Sequence, residues 1–92
     1  MIQESDFAEI LASMDDYFKR KNHDYGNSFE RTADEFGLVA PLIRIHDKVN
    51  RLTTLVKNQN SAKTNEKIED TLLDLANYSV LTLAYLRSNA SN

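Results

Sequence analysis

Apolar residues recur along this chain at spacings of three and four, in long runs separated by polar stretches. The first run is Phe7, Ile10, Leu11, Met14, Tyr17 and Phe18, which predicts an amphipathic helix over residues 6–21. Ser5 is placed to cap its start, Asp6 and Glu9 suit the positive end of its dipole, and Lys19, Arg20 and Lys21 suit the negative end. Residues 22–28 hold Asn22, Asp24, Gly26, Asn27 and Ser28, all turn formers, and predict a loop pinned by Tyr25 and Phe29. A short helix over 29–36 is expected next, capped by Ser28 and stopped by Gly37. Pro41 then opens a helix that runs to Lys57 with Leu42, Ile45, Val49, Leu52 and Val56 on one stripe. Residues 58–64 are polar and predict a mobile loop. The last helix is predicted over 65–87, on the stripe Ile68, Leu72, Leu75, Ser79 and Leu83, with the tail from 88 onward frayed. The pattern predicts an all-α fold, three main helices plus a short one, in a single domain over 1–92.

Size changes that picture. A 92-residue chain is expected to bury only about 60–65% of its unfolded surface, which leaves it marginal alone. Residues 81–86 are apolar on more than one helical face and need cover on more than one side. Both observations predict a homodimer or larger bundle.

Composition excludes more than it assigns. There is no cysteine and there are two histidines, so a thiolate metal centre has no ligands, and any metal is expected to be a hard cation held by carboxylates. The net charge of −3 argues against a nucleic-acid backbone as partner. No apolar run approaches the roughly 20 residues of a membrane span, and the first residues lack a leader pattern, so a cytoplasmic location is expected. Glycine-rich dinucleotide and nucleophile-elbow motifs are missing, which leaves hydride and acyl transfer without a basis.

Three polar sets carry candidate chemistry. Asp70, Asp74 and Asn77 lie at i, i+4 and i+7 on one face of the last helix, and Asp74 sits among apolar neighbours. A carboxylate there calls for a cation or hydrogen-bond donors. One compensation is Mg²⁺ held by Asp47, Asp70 and Asp74 together with phosphate oxygens; the other is an ion pair from Asp74 to Arg44 or Arg51. Arg44, Lys48 and Arg51 repeat the same spacing on the third segment and repel one another unless something negative faces them, either those acids or a phosphate. In the 21–29 stretch Asp24, Asn27 and Ser28 offer donors and acceptors to the base or sugar of a ligand, Tyr25 or Phe29 is available for stacking, and Lys21 joins them as a ligand-binding candidate; the alternative is a plain turn between two helices with the aromatics in the core.

The sets Asp24-Tyr25-Gly26-Asn27-Ser28-Phe29, Arg44-Ile45-x-Asp47-Lys48-x-x-Arg51-Leu52 and Glu69-Asp70-Thr71-Leu72-x-Asp74-Leu75-Ala76-Asn77-Tyr78 resemble, in that order, the nucleotide modification associated domain 1 family over about residues 7–86. Its members are small proteins found largely in phages and prophage-like regions. The resemblance implies a nucleotide connection rather than a given reaction, and host cytoplasm as the location if the chain is phage-encoded. More distantly the layout is similar to the all-α nucleoside triphosphate pyrophosphohydrolases of the MazG and dimeric dUTPase type, which hold Mg²⁺ with Glu-Glu-x-x-Glu on one helix and Glu-x-x-Asp on the next. This chain departs from that pattern: the third segment offers only Asp47, and Asp70-x-x-x-Asp74 has a different spacing. Three functions follow as expectations. The first is a nucleotide-binding protein with Mg²⁺-dependent pyrophosphate release. The second is a non-catalytic binder that sequesters a nucleotide or cyclic-nucleotide defence signal. The third is a structural or protein-interaction module.

Overall fold

A single helix runs through the stretch whose polar residues predict a loop. In the computed structural model, which describes residues 1–58 and 61–90 and leaves aside the side chains of 22–26 and 90, α1 spans Glu4–Phe36 without a break. The predicted loop at 22–28 and the separate short helix at 29–36 are therefore corrected to one 33-residue helix. The physical reason lies in the phase of the apolar stripe. Phe18 and Phe29 are three helical turns apart, and Ala33 and Phe36 continue from Phe29. One face therefore stays apolar across the polar stretch, and with no proline inside it the chain has only weak propensities to set against helix. The start differs too. Gln3 is the N-cap, and its backbone N–H donates to the Asp6 carboxylate at 2.9 Å, while Ser5 lies inside the first turn.

Gly37 ends α1 as expected. Its φ of 78° with ψ of −171° lies in a region open to glycine alone, and its N–H donates to the Ala33 carbonyl at 2.8 Å. That turn leads directly into α2, Val39–Lys57. Pro41 is the third residue of α2 rather than the first, a position where its missing N–H still costs nothing. It is buried there. Helix α3, Ala62–Ala90, takes in residues 62–64 of the predicted loop and 88–90 of the predicted frayed tail; 59–60 and 91–92 lie outside the described residues. All described regular structure is helical. No helix among the described residues is long and apolar enough to cross a membrane.

Helices α2 and α3 form the most extensive contact, and α1 touches each over a shorter stretch. The α2/α3 pair is antiparallel in fixed register: Lys48 meets Asp74, and Arg51, one turn further along α2, meets Thr71, one turn back along α3. Few residues are buried in this arrangement. Ala33 of α1, Pro41 of α2, and Thr71 and Leu81 of α3 are the fully enclosed ones among those described. Thr71 avoids the cost of burying a hydroxyl because it donates to the Lys67 carbonyl at 2.7 Å and accepts from Arg51 Nε at 3.3 Å.

The C-terminal half of α1 is held to α3 by Phe29 and Tyr85, whose rings meet edge to face at 6.4 Å. The Tyr85 hydroxyl also donates to Asp34 Oδ1 at 2.7 Å. That hydrogen bond to a carboxylate, more than any other influence, raises the tyrosine's pKa above its ordinary value. Because the folded-state pKa is raised, the contribution is full below the unfolded value near 10 and is lost as pH rises through the folded value. Wild type is accordingly expected to unfold at a higher urea concentration than Tyr85→Phe at pH 7, with the gap narrowing at an alkaline pH above the unfolded value near 10. Urea titrations followed by circular dichroism at both values check this. An unchanged gap would place the bond's contribution outside the phenol's ionisation.

Candidate functional site

Two of the three cations on the α2 stripe, Lys48 and Arg51, meet side chains of α3. Lys48 Nζ lies 3.5 Å from Asp74 Oδ2, with the two side chains 27% and 45% exposed. Arg51 donates to Thr71. Arg44 lines a shallow cleft of about 150 Å³ with Ser28, Thr32 and Tyr78. The Asp74 partner is thus Lys48, rather than the Arg44 or Arg51 expected from sequence. The reason is register: Lys48 sits at the height of Asp74, and the two arginines lie one turn to either side. Being half-exposed, the pair is screened by water and fixes geometry more than it adds stability.

A second cleft, of about 500 Å³, opens between α1 and α3. Its α3 wall is Asp70, Leu73, Asp74 and Asn77, and its α1 wall is Ser13, Met14, Tyr17 and Arg20. Three residues singled out from sequence, Asp70, Asp74 and Asn77, are therefore brought together here. Facing two carboxylates, Arg20 supplies a cation across the cleft, and Lys48 reaches Asp74 from the side of α2. The cleft is continuous through Met14, Tyr17 and Asn77 with a mainly apolar groove of about 290 Å³ that Leu11, Phe18, Val80 and Leu81 also line. Lys21 stands at that groove rather than at the acids.

The other candidates are scattered. Asn27 lines a separate cleft beside Glu30 and Tyr85. The side chains of Asp24 and Tyr25 lie outside the described residues. Asp47 is exposed on α2. Among the described residues no three of His, Cys, Asp and Glu gather closely enough to hold a metal ion, so Asp47, Asp70 and Asp74 are not one three-carboxylate set. Helical geometry explains this: Asp47 is turned about 100° from its neighbour Lys48, and Lys48 is the residue that faces α3.

Ser13, Tyr17 and Arg20 were not among the sequence candidates. Tyr17 reads as a core residue on the apolar stripe, and Arg20 as one of three cations suited to the end of a helix predicted to stop at Lys21. The signal that was present is their spacing of i, i+4 and i+7, the same as that of Asp70, Asp74 and Asn77. The Ser13 hydroxyl already donates to the Ile10 carbonyl at 2.8 Å, so it offers a ligand mainly its oxygen as acceptor.

A family model described as nucleotide modification associated domain 1 matches residues 21–86. No curated protein and no solved structure matches the chain. The matched stretch contains the α3 wall of the larger cleft and the whole of α2, and it begins just beyond the α1 wall.

Proposed function

The chain belongs to the nucleotide modification associated domain 1 family, and we propose that it binds a nucleotide in the cleft between α1 and α3. The observation that carries this reading is the placement of Arg20 and Tyr17 on α1 opposite Asp70, Asp74 and Asn77 on α3. A guanidinium suits a phosphate through paired N–H donors. The Asn77 amide offers a donor and an acceptor to a base edge or a sugar hydroxyl. Tyr17 supplies an aromatic face beside them.

Asp70 and Asp74 fit Mg²⁺. The ion is commonly held by one or two protein carboxylates, with waters and substrate phosphates filling its remaining positions, and these two lie one turn apart on a shared wall. When bound there, Mg²⁺ would offset phosphate charge beside the acids. Lys48 meets Asp74 from the side of α2, where its ammonium competes with a cation for the carboxylate. Arg20 orients the phosphate, and Asn77 positions the nucleoside end. Two clustered acids fall short of the four that the all-α pyrophosphohydrolases use, so binding is favoured over cleavage.

The Lys48–Asp74 pair favours a second reading, in which these polar residues only hold helices together. Calorimetry with mono-, di-, tri- and cyclic nucleotides, with and without Mg²⁺, separates the two. At least one nucleotide is expected to bind more tightly with Mg²⁺, to lose at least tenfold in affinity in Arg20→Ala, and to be recovered intact. Silence across the panel would favour the interaction module, and recovery of a cleaved product would restore the hydrolase.

A further inference from the structure

The chain as a single copy is too open for its size. Its accessible surface is 7265 Å², against about 5,400 Å² for a compact monomer of this mass. Its radius of gyration is 14.9 Å, against about 12 Å for a compact 92-residue domain. The excess surface is about 1,800 Å², and one partner in a standard stable interface contributes about 800 Å². Exposed apolar side chains occur on all three helices, and the N-terminal half of α1 carries a contiguous set of them. Phe7 is 66% exposed, Ile10 and Leu11 are each 51% exposed, and Phe18 is 40% exposed.

The pattern on that half-helix identifies what covers it. Phe7, Leu11, Met14 and Phe18 are separated by four, three and four residues, the seam spacing of helices that pack along one another. Such a seam matches another helix of the same period. It is flanked by Glu4, Asp6, Glu9, Asp15 and Asp16, which disfavours an anionic lipid surface. A two-fold axis lets one patch cover itself, so no second kind of chain is required.

We propose that a second copy of this chain packs along the Phe7–Leu11–Met14–Phe18 seam and closes the nucleotide cleft beside it, so that the site is complete only in the dimer. Dimerisation follows from the seam and the excess surface. The shared site rests on the nucleotide reading above, and it follows from continuity: Met14, Tyr17 and Asn77 line both the apolar groove and the polar cleft, so a helix laid along one forms an edge of the other. Ligand and partner then stabilise each other's binding.

Native mass spectrometry of the wild-type chain at tens of micromolar is expected to give twice the 10.5 kDa monomer mass. Phe7 is about two turns from the nearest cleft residue, Ser13. Phe7→Asp is expected to give a monomer with unchanged helicity and at least tenfold weaker nucleotide binding. Because the chain has no cysteine, Leu11→Cys with a short bismaleimide reports the seam directly, and crosslinked dimer is expected even if Phe7→Asp fails to fold. A monomeric wild type, a dimeric Phe7→Asp or an absent crosslink overturns the interface. A monomeric Phe7→Asp that binds nucleotide at wild-type affinity overturns the shared site. A wild-type dimer that binds no nucleotide overturns the functional reading and leaves the interface standing.

Discussion

Leu81→Ala is expected to lower the unfolding free energy by about 2–5 kcal/mol, the range for truncating an enclosed leucine. Leu81 is 9% exposed and is one of three enclosed apolar residues among those described, with Ala33 and Pro41. It lines both the groove that Leu11, Met14 and Phe18 share with α3 and the neighbouring cleft of Phe29 and Tyr85. It therefore stands at the centre of the α1/α3 contact, which is the sparser side of the bundle. A domain of this length has roughly 5–14 kcal/mol of stability in total, and so small a core places this chain toward the low end. The truncation is thus expected to free α1 before the α2/α3 pair separates, and to remove the polar cleft with it. Urea unfolding followed by circular dichroism, with hydrogen exchange along α1, measures both effects. A loss under about 1 kcal/mol would show that α1 is held elsewhere, through Asp34–Tyr85 or through a second copy.

The stripes of α2 and α3 were legible because each is bounded by strong signals. Gly37 and Pro41 precede α2, and the polar run after Lys57 separates it from α3. Helix α1 is harder to read from sequence because local chemistry and long-range phase disagree within it. Asn22, Asp24, Gly26, Asn27 and Ser28 each favour a turn, yet the stripe that resumes at Phe29 is in register with the one ending at Phe18. The continuous apolar phase of one face goes with the unbroken helix. The site divides along the same line. Asp70, Asp74 and Asn77 could be found because their alignment on one face needs only one correctly read helix. Their opposite wall could not, because which residue of α1 meets Asp74 depends on how two helices cross. In a helix that ends at Lys21, Arg20 is one of three cations at the negative end of the dipole, and the polar signal is stronger in the turn formers that follow. The Lys48–Asp74 pair was hidden for the same reason, since its choice over Arg44 or Arg51 is a matter of interhelical register.

Asp74→Asn is expected to separate ligand chemistry from helix pairing. As half of a 3.5 Å ion pair with 27% and 45% exposed side chains, Asp74 contributes under about 1 kcal/mol to folding. Its amide replacement keeps the shape and a hydrogen-bond acceptor toward Lys48, so the unfolding midpoint is expected to move little. Affinity for a nucleotide in the presence of Mg²⁺ is expected to fall at least tenfold, about 1.4 kcal/mol, because the cleft loses one of its two carboxylates. The partner variant Lys48→Met gives the contrast. If Asp74 serves only Lys48, the two variants should be interchangeable, with equal small losses of stability and no change in binding. If Asp74 serves a cation as well, removing Lys48 takes away a competing positive charge, and Mg²⁺-dependent binding should hold or strengthen while Asp74→Asn weakens it. Parallel calorimetry and urea unfolding on the two variants therefore give opposite signs under one reading and matching signs under the other. Equal binding by both variants would assign Asp74 to the α2/α3 seam and leave the cleft to Arg20, Asp70 and Asn77.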